Sequence, residues 1–439
     1  MSSTEREFSP DLTVTPDRPL YDESVRITAN GLEPGEEATV RARMPLPDGV
    51  WESSAVFEVR ADGTLDLAEQ EPVRGDYEGA DPMGLFWSMS HVETEQRATR
   101  EDDVDATVVS VTVEMYGGTV AQTNVERTIS TDDVERTRLD HGELVGEFYR
   151  PGDDGPYPTV VLVGGSEGGL APWMPARLLA TRGYAVLTLA YFGVEDLPDA
   201  LDSIPLEYFE TAMDWVADND LTREESVGVM GWSRGGELAL LLGSRLPEIT
   251  TVVAYAPSSV VYQGIPEGFE SAGSAWTSGG EPLDYVPYDF SMRFILSLFG
   301  RWIRGKPLGL RPTYESGYES ASEETIADAA IPVEETGGPV LLVTGDDDQM
   351  WNAAAHADRV VERLDARGYD HEYDHLTYEG AGHGIGVPYH PTTEKDVSDT
   401  FLPRLPLDLG GTPEATAAAD ADSWERVLDV LNRGLRRDD

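Results

Sequence analysis

An all-β domain followed by a larger α/β domain is the fold class this residue pattern predicts, and three observations carry it. Residues 10–135 hold short stretches that alternate apolar and polar side chains, divided by turn clusters such as Asn30-Gly31 and Pro34-Gly35. From about Leu144 onward, apolar runs alternate with helical patterns instead. One of those runs ends in Gly231-Trp232-Ser233-Arg234-Gly235 and passes at once into a helical pattern.

Taken in order, segments 12–15, 24–29, 38–43 and 107–113 read as short strands. Strands this short with this punctuation predict a β-sandwich of immunoglobulin-like type. In the second part, strands are expected at 159–163, 185–189, 251–255, 339–344 and 373–378, and helices at 176–182, 206–219 and 237–245. Such alternation implies a mainly parallel sheet with helices on both faces. Trp424, Val427, Leu428, Leu431 and Leu435 fall at helical spacing over 421–435, which predicts a last helix packed on that sheet. Between 261 and 331 lies an insert without clear strands, whose apolar run 290–299 reads as a core-packing helix ahead of a lid or acyl-chain wall. A chain of 439 residues is too long for one small core. The expected domains are 10–135 and 144–437, the second carrying a lid-like insert at about 261–331.

The strand–turn–helix around Ser233 gives the chemistry. A serine at the apex of G-x-S-x-G points its hydroxyl away from the sheet, and the flanking glycines let strand and helix pack closely. The hydroxyl is a poor nucleophile until a histidine takes its proton, and the imidazolium then needs a carboxylate. In the α/β-hydrolase arrangement the order is Ser, acid, His, with the last two on loops after later strands. The run Gly345-Asp346-Asp347-Asp348 follows one expected strand, and Gly380-Ala381-Gly382-His383-Gly384 follows the next. His383 is the expected general base and Asp348 the expected acid, with Asp347 as its rival. His390, in a Tyr-His-Pro setting, reads as loop packing. For the oxyanion, one donor is expected from the backbone N–H of Arg234 and the other from the loop Gly164-Gly165-Ser166-Glu167-Gly168-Gly169, at Ser166 or Glu167. That loop lacks the Lys-Ser/Thr ending of a P-loop and the G-x-G-x-x-G spacing of dinucleotide binders. The chemistry calls for neither a metal nor a redox cofactor.

Composition narrows the setting. Against 82 Asp and Glu stand 32 Lys and Arg, a net charge of −50, and Lys306 and Lys395 are the only lysines. With 40% hydrophobic residues the chain is not disordered, so acid excess with scarce lysine predicts a protein adapted to high salt. At molar salt the Debye length falls to about 3 Å and self-repulsion is screened. Nucleic acid is an unsuitable partner for such a surface. The chain has no cysteine, which excludes disulfides and a thiol nucleophile. The first residues show no basic and apolar signal pattern and no run approaches a membrane span, so the expected compartment is the cytoplasm. Nothing in the sequence indicates an oligomeric state.

Further residues point to a family. The segment 75–89, Gly-Asp-Tyr-Glu-Gly-Ala-Asp-Pro-Met-Gly-Leu-Phe-Trp-Ser-Met, resembles a signature of the acyl-CoA thioesterase and bile acid-CoA:amino acid N-acyltransferase family. Leu189-Ala190-Tyr191-Phe192, Glu195-Asp196-Leu197-Pro198, 206–210, 331–334, 345–351 and Gly382-His383 with Pro388-Tyr389 are similar to its second domain. The resemblance implies a β-sandwich joined to an α/β-hydrolase domain, and cleavage of acyl-CoA thioesters through an acyl-enzyme. Position by position it implies Ser233 as nucleophile, Asp348 as acid and His383 as base. Members with cysteine tend to pass the acyl group to an amino acid and those with serine to water, so serine here implies hydrolysis. Two departures stand out: Ser166 and Glu167 occupy positions where relatives mostly carry glycine, and the insert is longer. The apolar residues of 82–89 are expected to join the two domains.

Two other chemistries remain open at this point, a carboxylesterase or dienelactone-type hydrolase acting on oxygen esters and an acyl-CoA N-acyltransferase. A non-catalytic binding protein is disfavoured because all three triad positions are filled. A chain at −50 must also manage the negative charges of CoA, for which arginines such as Arg234, Arg177 or Arg182 near the expected cleft are candidates.

Overall fold

The computed structural model describes residues 9–46, 49–94, 104–139, 141–266, 272–289, 292–393, 396–397 and 406–436. The chain divides into two compact units, Met1–Thr131 with Val387–Glu394, and Asp132–Gly386 with Lys395–Asp439. The first unit therefore ends slightly earlier than the sequence pattern implies and takes a late segment as well.

The first unit is built from two antiparallel sheets. In one, Arg26–Asn30 lies between Asp11–Thr15 and Leu65–Asp66 and pairs with both. The other runs in the order Arg74–Gly75, Gly49–Glu58, Glu37–Leu46, Ala106–Met115, Gly118–Thr128, with Ser90–Thr94 also pairing with Gly49–Glu58. Alternation decides which face is buried: Ala38, Val40, Ala42 and Met44 point inward between Thr39, Arg41 and Arg43. The short helix Gly84–Trp87 packs within this unit. Leu85 and Phe86 are fully buried, Ser53 donates to the Leu85 carbonyl at 2.5 Å, and the Trp87 indole donates to Asp81 at 2.7 Å. Arg127 is buried over the Tyr21 ring at 3.6 Å and donates to the carbonyl of Tyr389. His390 shares a 3.0 Å hydrogen bond with the Tyr21 hydroxyl.

The second unit holds an eight-stranded sheet. Its strands are β1 (Glu135–Arg138), β2 (Val145–Arg150), β3 (Tyr157–Val163), β4 (Ala185–Ala190), β5 (Thr222–Trp232), β6 (Ile249–Tyr255), β7 (Val340–Gly345) and β8 (Tyr373–Tyr378). They lie in the order β1-β2-β4-β3-β5-β6-β7-β8. The first two pairings are antiparallel and all pairings from β4/β3 onward are parallel. Every residue of β3, β4 and β7 is buried, as expected of strands covered on both faces.

The helices are α1 (Trp173–Thr181), α2 (Glu207–Asp218), α3 (Arg234–Arg245), α4 (Met292–Arg304), α5 (Arg311–Ser320), α6 (Glu323–Ala329), α7 (Ala353–Arg367) and α8 (Pro413–Leu435). Helix α8 begins eight residues before the apolar spacing suggests. Its start is set by Thr412, whose side chain accepts from the Ala415 amide, and by Pro413 in the first turn. The insert does contain strands, contrary to expectation. Trp276–Ser278 pairs with Glu281–Pro282 and with Ile204–Pro205, in runs too short to show periodicity. The apolar run of the insert starts at two residues outside the described ones and continues as α4.

Candidate active site

The parallel register brings the ends of five strands to one edge of the sheet. Val163 lies opposite Gly231, Trp232 opposite Tyr255, Tyr255 opposite Val343, and Gly345 opposite Tyr378. The loops that follow β3, β5, β7 and β8 therefore leave from the same edge, where open α/β sheets place their sites. These loops carry Ser166, Glu167, Ser233, Asp348 and His383.

Ser233 sits between β5 and α3 with φ 57° and ψ −119°, a backbone conformation that a non-glycine residue adopts only under local constraint. The constraint is visible in its neighbours. Its amide donates to the Tyr255 carbonyl at 2.9 Å, and its carbonyl accepts from Glu237 at 3.1 Å. A Cβ on Gly231 would lie 2.0 Å from the Gly235 carbonyl, and one on Gly235 would lie 2.2 Å from the Gly164 carbonyl. Only glycine permits this approach of strand, helix and the loop after β3.

The three aspartates after β7 are separated by what they hold. Asp346 accepts from the Gly380 amide at 2.7 Å. Asp347 accepts from the Gln349 side chain at 2.8 Å and the Gly411 amide at 3.1 Å. Asp348 alone reaches the histidine: its Oδ2 lies 2.7 Å from His383 Nδ1. The other oxygen, Oδ1, accepts from the amides of Met350 at 2.8 Å and Trp351 at 3.2 Å. Asp348 is 1% exposed, so this carboxylate exchanges its water for fixed donors. The His383 ring meets the Trp351 ring edge-on at 6.2 Å, and the His383 amide donates to the Leu409 carbonyl at 2.8 Å.

The loop after β3 lies against Ser233. A Cβ on Gly165 would be 3.2 Å from the Ser233 Cβ, and the Tyr191 hydroxyl fixes the loop by donating to the Gly164 carbonyl at 2.7 Å. Ser166 and Glu167 are exposed residues of this loop. The Glu167 side chain folds back, its Oε1 accepting from the Gly165 amide at 2.9 Å. The departure from glycine at 167 thus supplies a carboxylate that occupies one amide of the loop.

Arg234 offers the site only its backbone. Its guanidinium is fully buried, 3.2 Å from Glu237, and donates to the Tyr262 carbonyl at 3.2 Å. Burial pushes the Glu237 carboxyl up to about 7, and the neighbouring Arg234 opposes that rise. Burial also weakens the charge of Arg234, but Glu237 and the surrounding tyrosines outweigh it and hold the guanidinium above its ordinary value. The Glu237 carboxylate also accepts from the Trp276 indole at 2.8 Å. This pair follows Ser233 at i,i+3 spacing, a signal the sequence contains but one that reads equally as a surface pair. Arg177 is buried as well, beside the Trp173 ring at 5.4 Å. Neither arginine is therefore placed to meet the phosphates of CoA. Arg182 donates to the Leu178 carbonyl at 3.0 Å.

Other histidines have different duties. His356 is buried between the Ser259 hydroxyl at 2.9 Å and the Tyr262 hydroxyl at 3.0 Å, and burial followed by Arg359 lowers it to about 3. It is a neutral packing residue. The insert also reaches the acid loop, where the Arg311 guanidinium donates to the Asp348 carbonyl at 3.1 Å. A cavity of about 360 Å³ lies elsewhere, among Glu334–Thr336 and Arg367–His371, residues that precede β7 and β8 and so sit at the far edge of the sheet. Among the described residues, no group of three or more His, Asp or Glu is arranged to hold a metal ion, and no helix is long and apolar enough to cross a membrane.

Residues 22–141 match the family model of the acyl-CoA thioester hydrolase/BAAT N-terminal region. Residues 204–271 and 310–437 match that of the BAAT/acyl-CoA thioester hydrolase C-terminal region. The acyl-coenzyme A thioesterase 2, mitochondrial, of Homo sapiens is 30% identical over 426 residues, covering 95% of this chain and 83% of that protein. The acyl-coenzyme A amino acid N-acyltransferase 2 of Mus musculus is 28% identical over 438 residues, covering 97% of each. A solved puromycin-hydrolyzing peptidase of Mycobacterium tuberculosis aligns distantly, over 95% of this chain and 67% of its own, at 14% identity and a TM-score of 0.45. With both family models matched in order and a 30% identical relative aligned over 95% of it, this chain belongs to the acyl-CoA thioester hydrolase/BAAT family.

Proposed function

We propose that the protein hydrolyses acyl-CoA thioesters to free acid and CoA through an acyl-enzyme on Ser233. The observation that carries this reading is the 2.7 Å Asp348–His383 pair, on loops at the same sheet edge as the strained serine turn. His383 Nε2 takes the Ser233 proton as Oγ attacks the thioester carbonyl, and buried Asp348 stabilises the imidazolium. The negative charge on the carbonyl oxygen falls to the Arg234 backbone N–H and to the loop of Ser166 and Glu167. Collapse breaks the C–S bond, and His383 returns the proton to the leaving sulfur. A water deprotonated by His383 then attacks the ester, the bond from the acyl carbon to Ser233 Oγ breaks, and His383 returns the proton to Oγ as the acid leaves. A thiolate leaves readily, so the demand falls on the oxyanion donors and on deacylation.

Similarity to thioesterases and to N-acyltransferases is nearly equal, so it does not choose the acceptor. The nucleophile does. An acyl-serine is an oxygen ester, less open to attack by amines than the thioester a cysteine would form. The chain contains no cysteine. Water is therefore the favoured acceptor, ahead of an amino acid. The expected partners are the acyl-CoA substrate and no nucleic acid, and the expected setting is a cytoplasm of high ionic strength, which the charge of −50 suits.

A panel of acyl-CoAs of varied chain length tests this, run in molar KCl beside p-nitrophenyl esters and with glycine as a competing acceptor. Thioester turnover yielding free acid is expected. Ester cleavage without thioester turnover would assign the site to oxygen esters, and acyl-glycine as main product would assign it to acyl transfer.

A further inference from the structure

Five of the nine large hydrophobic side chains exposed among the described residues lie on one helix, α4. They are Ile295, Leu296, Phe299, Trp302 and Ile303, with Leu296 at 66% and Ile303 at 63% exposure. The other four, Val73, Val92, Val108 and Tyr116, belong to the first unit and are spread along its sequence. The spacing of the α4 residues, 295, 296, 299, 302 and 303, places them along one stripe of the helix. Phe299 and Trp302 stack within it at 6.1 Å. The opposite side of α4 is already satisfied, since Phe294 and Leu298 pack against Leu308, Leu310 and Leu407. The core therefore does not require the outer stripe.

Charge singles out the same helix. Residues 290–314 contain five Arg and Lys and no Asp or Glu, while all 82 acidic residues of the chain lie outside them. Arg301 pairs with Asp408 at 3.2 Å, and Arg311 pairs with Glu315 at 2.9 Å. Arg304 donates to the Gly300 carbonyl at 2.9 Å. Among the described residues, neither Arg304 nor Lys306 is in an ion pair with a carboxylate. These two cations sit at the C-terminal end of the stripe, beside Trp302 and Ile303. The stretch 272–309, which contains α4, lies outside the matched parts of the C-terminal family model.

We infer that α4 docks the protein on the surface of an anionic lipid bilayer, its apolar stripe in the acyl boundary and Arg304 and Lys306 at the head-group phosphates. An amphipathic helix with aromatic and aliphatic residues on one face and cations at its margin has this interfacial character. Charge favours this occupant over a second copy of the chain. A symmetric dimer through α4 would oppose like cations, whereas anionic head groups complement them. The exposed face is also a stripe on a helix rather than the wall of any cavity described, which suits an extended surface better than a single bound chain. The acidic remainder of the molecule is repelled by such a bilayer, and that repulsion orients α4 toward it. At molar salt the repulsion is screened beyond about 3 Å, while contacts of cation to phosphate persist.

Flotation with vesicles of phosphatidylglycerol or of phosphatidylcholine, in molar KCl, tests the inference. Wild type is expected to float with phosphatidylglycerol, with a preference of about threefold over phosphatidylcholine after screening. The triple variant Leu296→Ser/Phe299→Ser/Ile303→Ser should lose at least about tenfold in bound fraction. Arg304→Ser/Lys306→Ser should keep the binding and lose the lipid preference. All changed residues are exposed, and unchanged thermal midpoints establish that the variants fold. No vesicle binding by wild type, or binding that the triple variant retains, overturns the inference. Equal binding to both lipids overturns the assignment of anionic head groups. A concentration-dependent dimer that the triple variant abolishes, without vesicle binding, assigns the stripe to a second copy instead. A raised KM of the triple variant for long-chain acyl-CoA only, in vesicle-free buffer and without vesicle binding, assigns it to the substrate.

Discussion

Asp348→Asn separates the two aspartates that the sequence leaves in competition. In the structure Asp348 Oδ1 accepts two backbone amides, from Met350 at 2.8 Å and Trp351 at 3.2 Å, while Oδ2 faces His383 Nδ1 at 2.7 Å. The asparagine oxygen can keep both amides, so its NH2 group must face the imidazole. A donor at that position forces the proton to Nε2, and the ring can no longer accept the serine proton. The expected loss in kcat is on the order of 10⁴-fold, about 5.5 kcal/mol of transition-state stabilisation, with the fold retained. Asp348→Ala should fail differently: it leaves the two amides without their acceptor at about 1–3 kcal/mol each, so stability falls along with activity. Asp347→Asn changes only contacts to Gln349 and Gly411 and should cost less than about tenfold. Because the chain has no cysteine, a thiol-reactive dye reports released CoA without background from the protein. Asp348→Asn with near wild-type turnover, or Asp347→Asn with the larger loss, would refute the assignment of Asp348.

Three further outcomes follow from packing and charge. Asp420 is buried in α8 and accepts from the Gly386 amide at 2.7 Å, and burial raises its carboxyl to about 8. Its folded value lies above its unfolded one, so its contribution to stability is present below about pH 4 and is lost as pH rises toward 8, by several kcal/mol at about 1.4 kcal/mol per unit. Urea midpoints at a series of pH values should show this decline, flattened in Asp420→Asn; an unchanged slope in that variant would exclude the assignment. Gly235→Ala sets a Cβ 2.2 Å from the Gly164 carbonyl and 2.6 Å from that of Val163, both rigid backbone, and should destabilise by more than about 3 kcal/mol. Wild-type stability in that variant would contradict the close strand–helix contact. Transfer from molar KCl to about 10 mM salt lengthens the Debye length to about 30 Å and should remove the cooperative thermal transition of a chain at −50. An undiminished transition in dilute buffer would exclude adaptation to high salt.

How much of this was legible in the sequence depends on how local each signal is. The Ser233 turn was legible because its glycines act on adjacent residues. The ends of β5 and β7 were legible because buried parallel strands leave continuous apolar runs, whereas β8, with no buried residue, showed itself only by the Gly-rich turn that follows it. The choice among Asp346, Asp347 and Asp348 was not, since it rests on which carboxylate faces His383, a contact across 35 positions. Glu167 showed itself as a departure from glycine, but its return to the Gly165 amide depends on a side-chain torsion that no pattern records. Arg234 read as a cleft cation that could meet the charges of CoA, but its guanidinium is buried, because Glu237 one turn later and the insert's aromatic rings close over it. The short strands at Trp276–Ser278 and Glu281–Pro282 were invisible because two or three residues carry no period. Helix α8 was found from its apolar spacing but started late, its true beginning lying in the capping pattern Thr412-Pro413.

The central claim is a covalent acyl-enzyme on Ser233, and rapid-quench mass spectrometry tests it most directly. Wild type mixed with excess acyl-CoA in molar KCl and quenched in acid should gain the mass of one acyl group. That mass should map to the peptide containing Ser233 and be absent from Ser233→Ala, whose CoA release should fall by several orders of magnitude. An acyl group on another residue, or CoA release undiminished in Ser233→Ala, would contradict the mechanism.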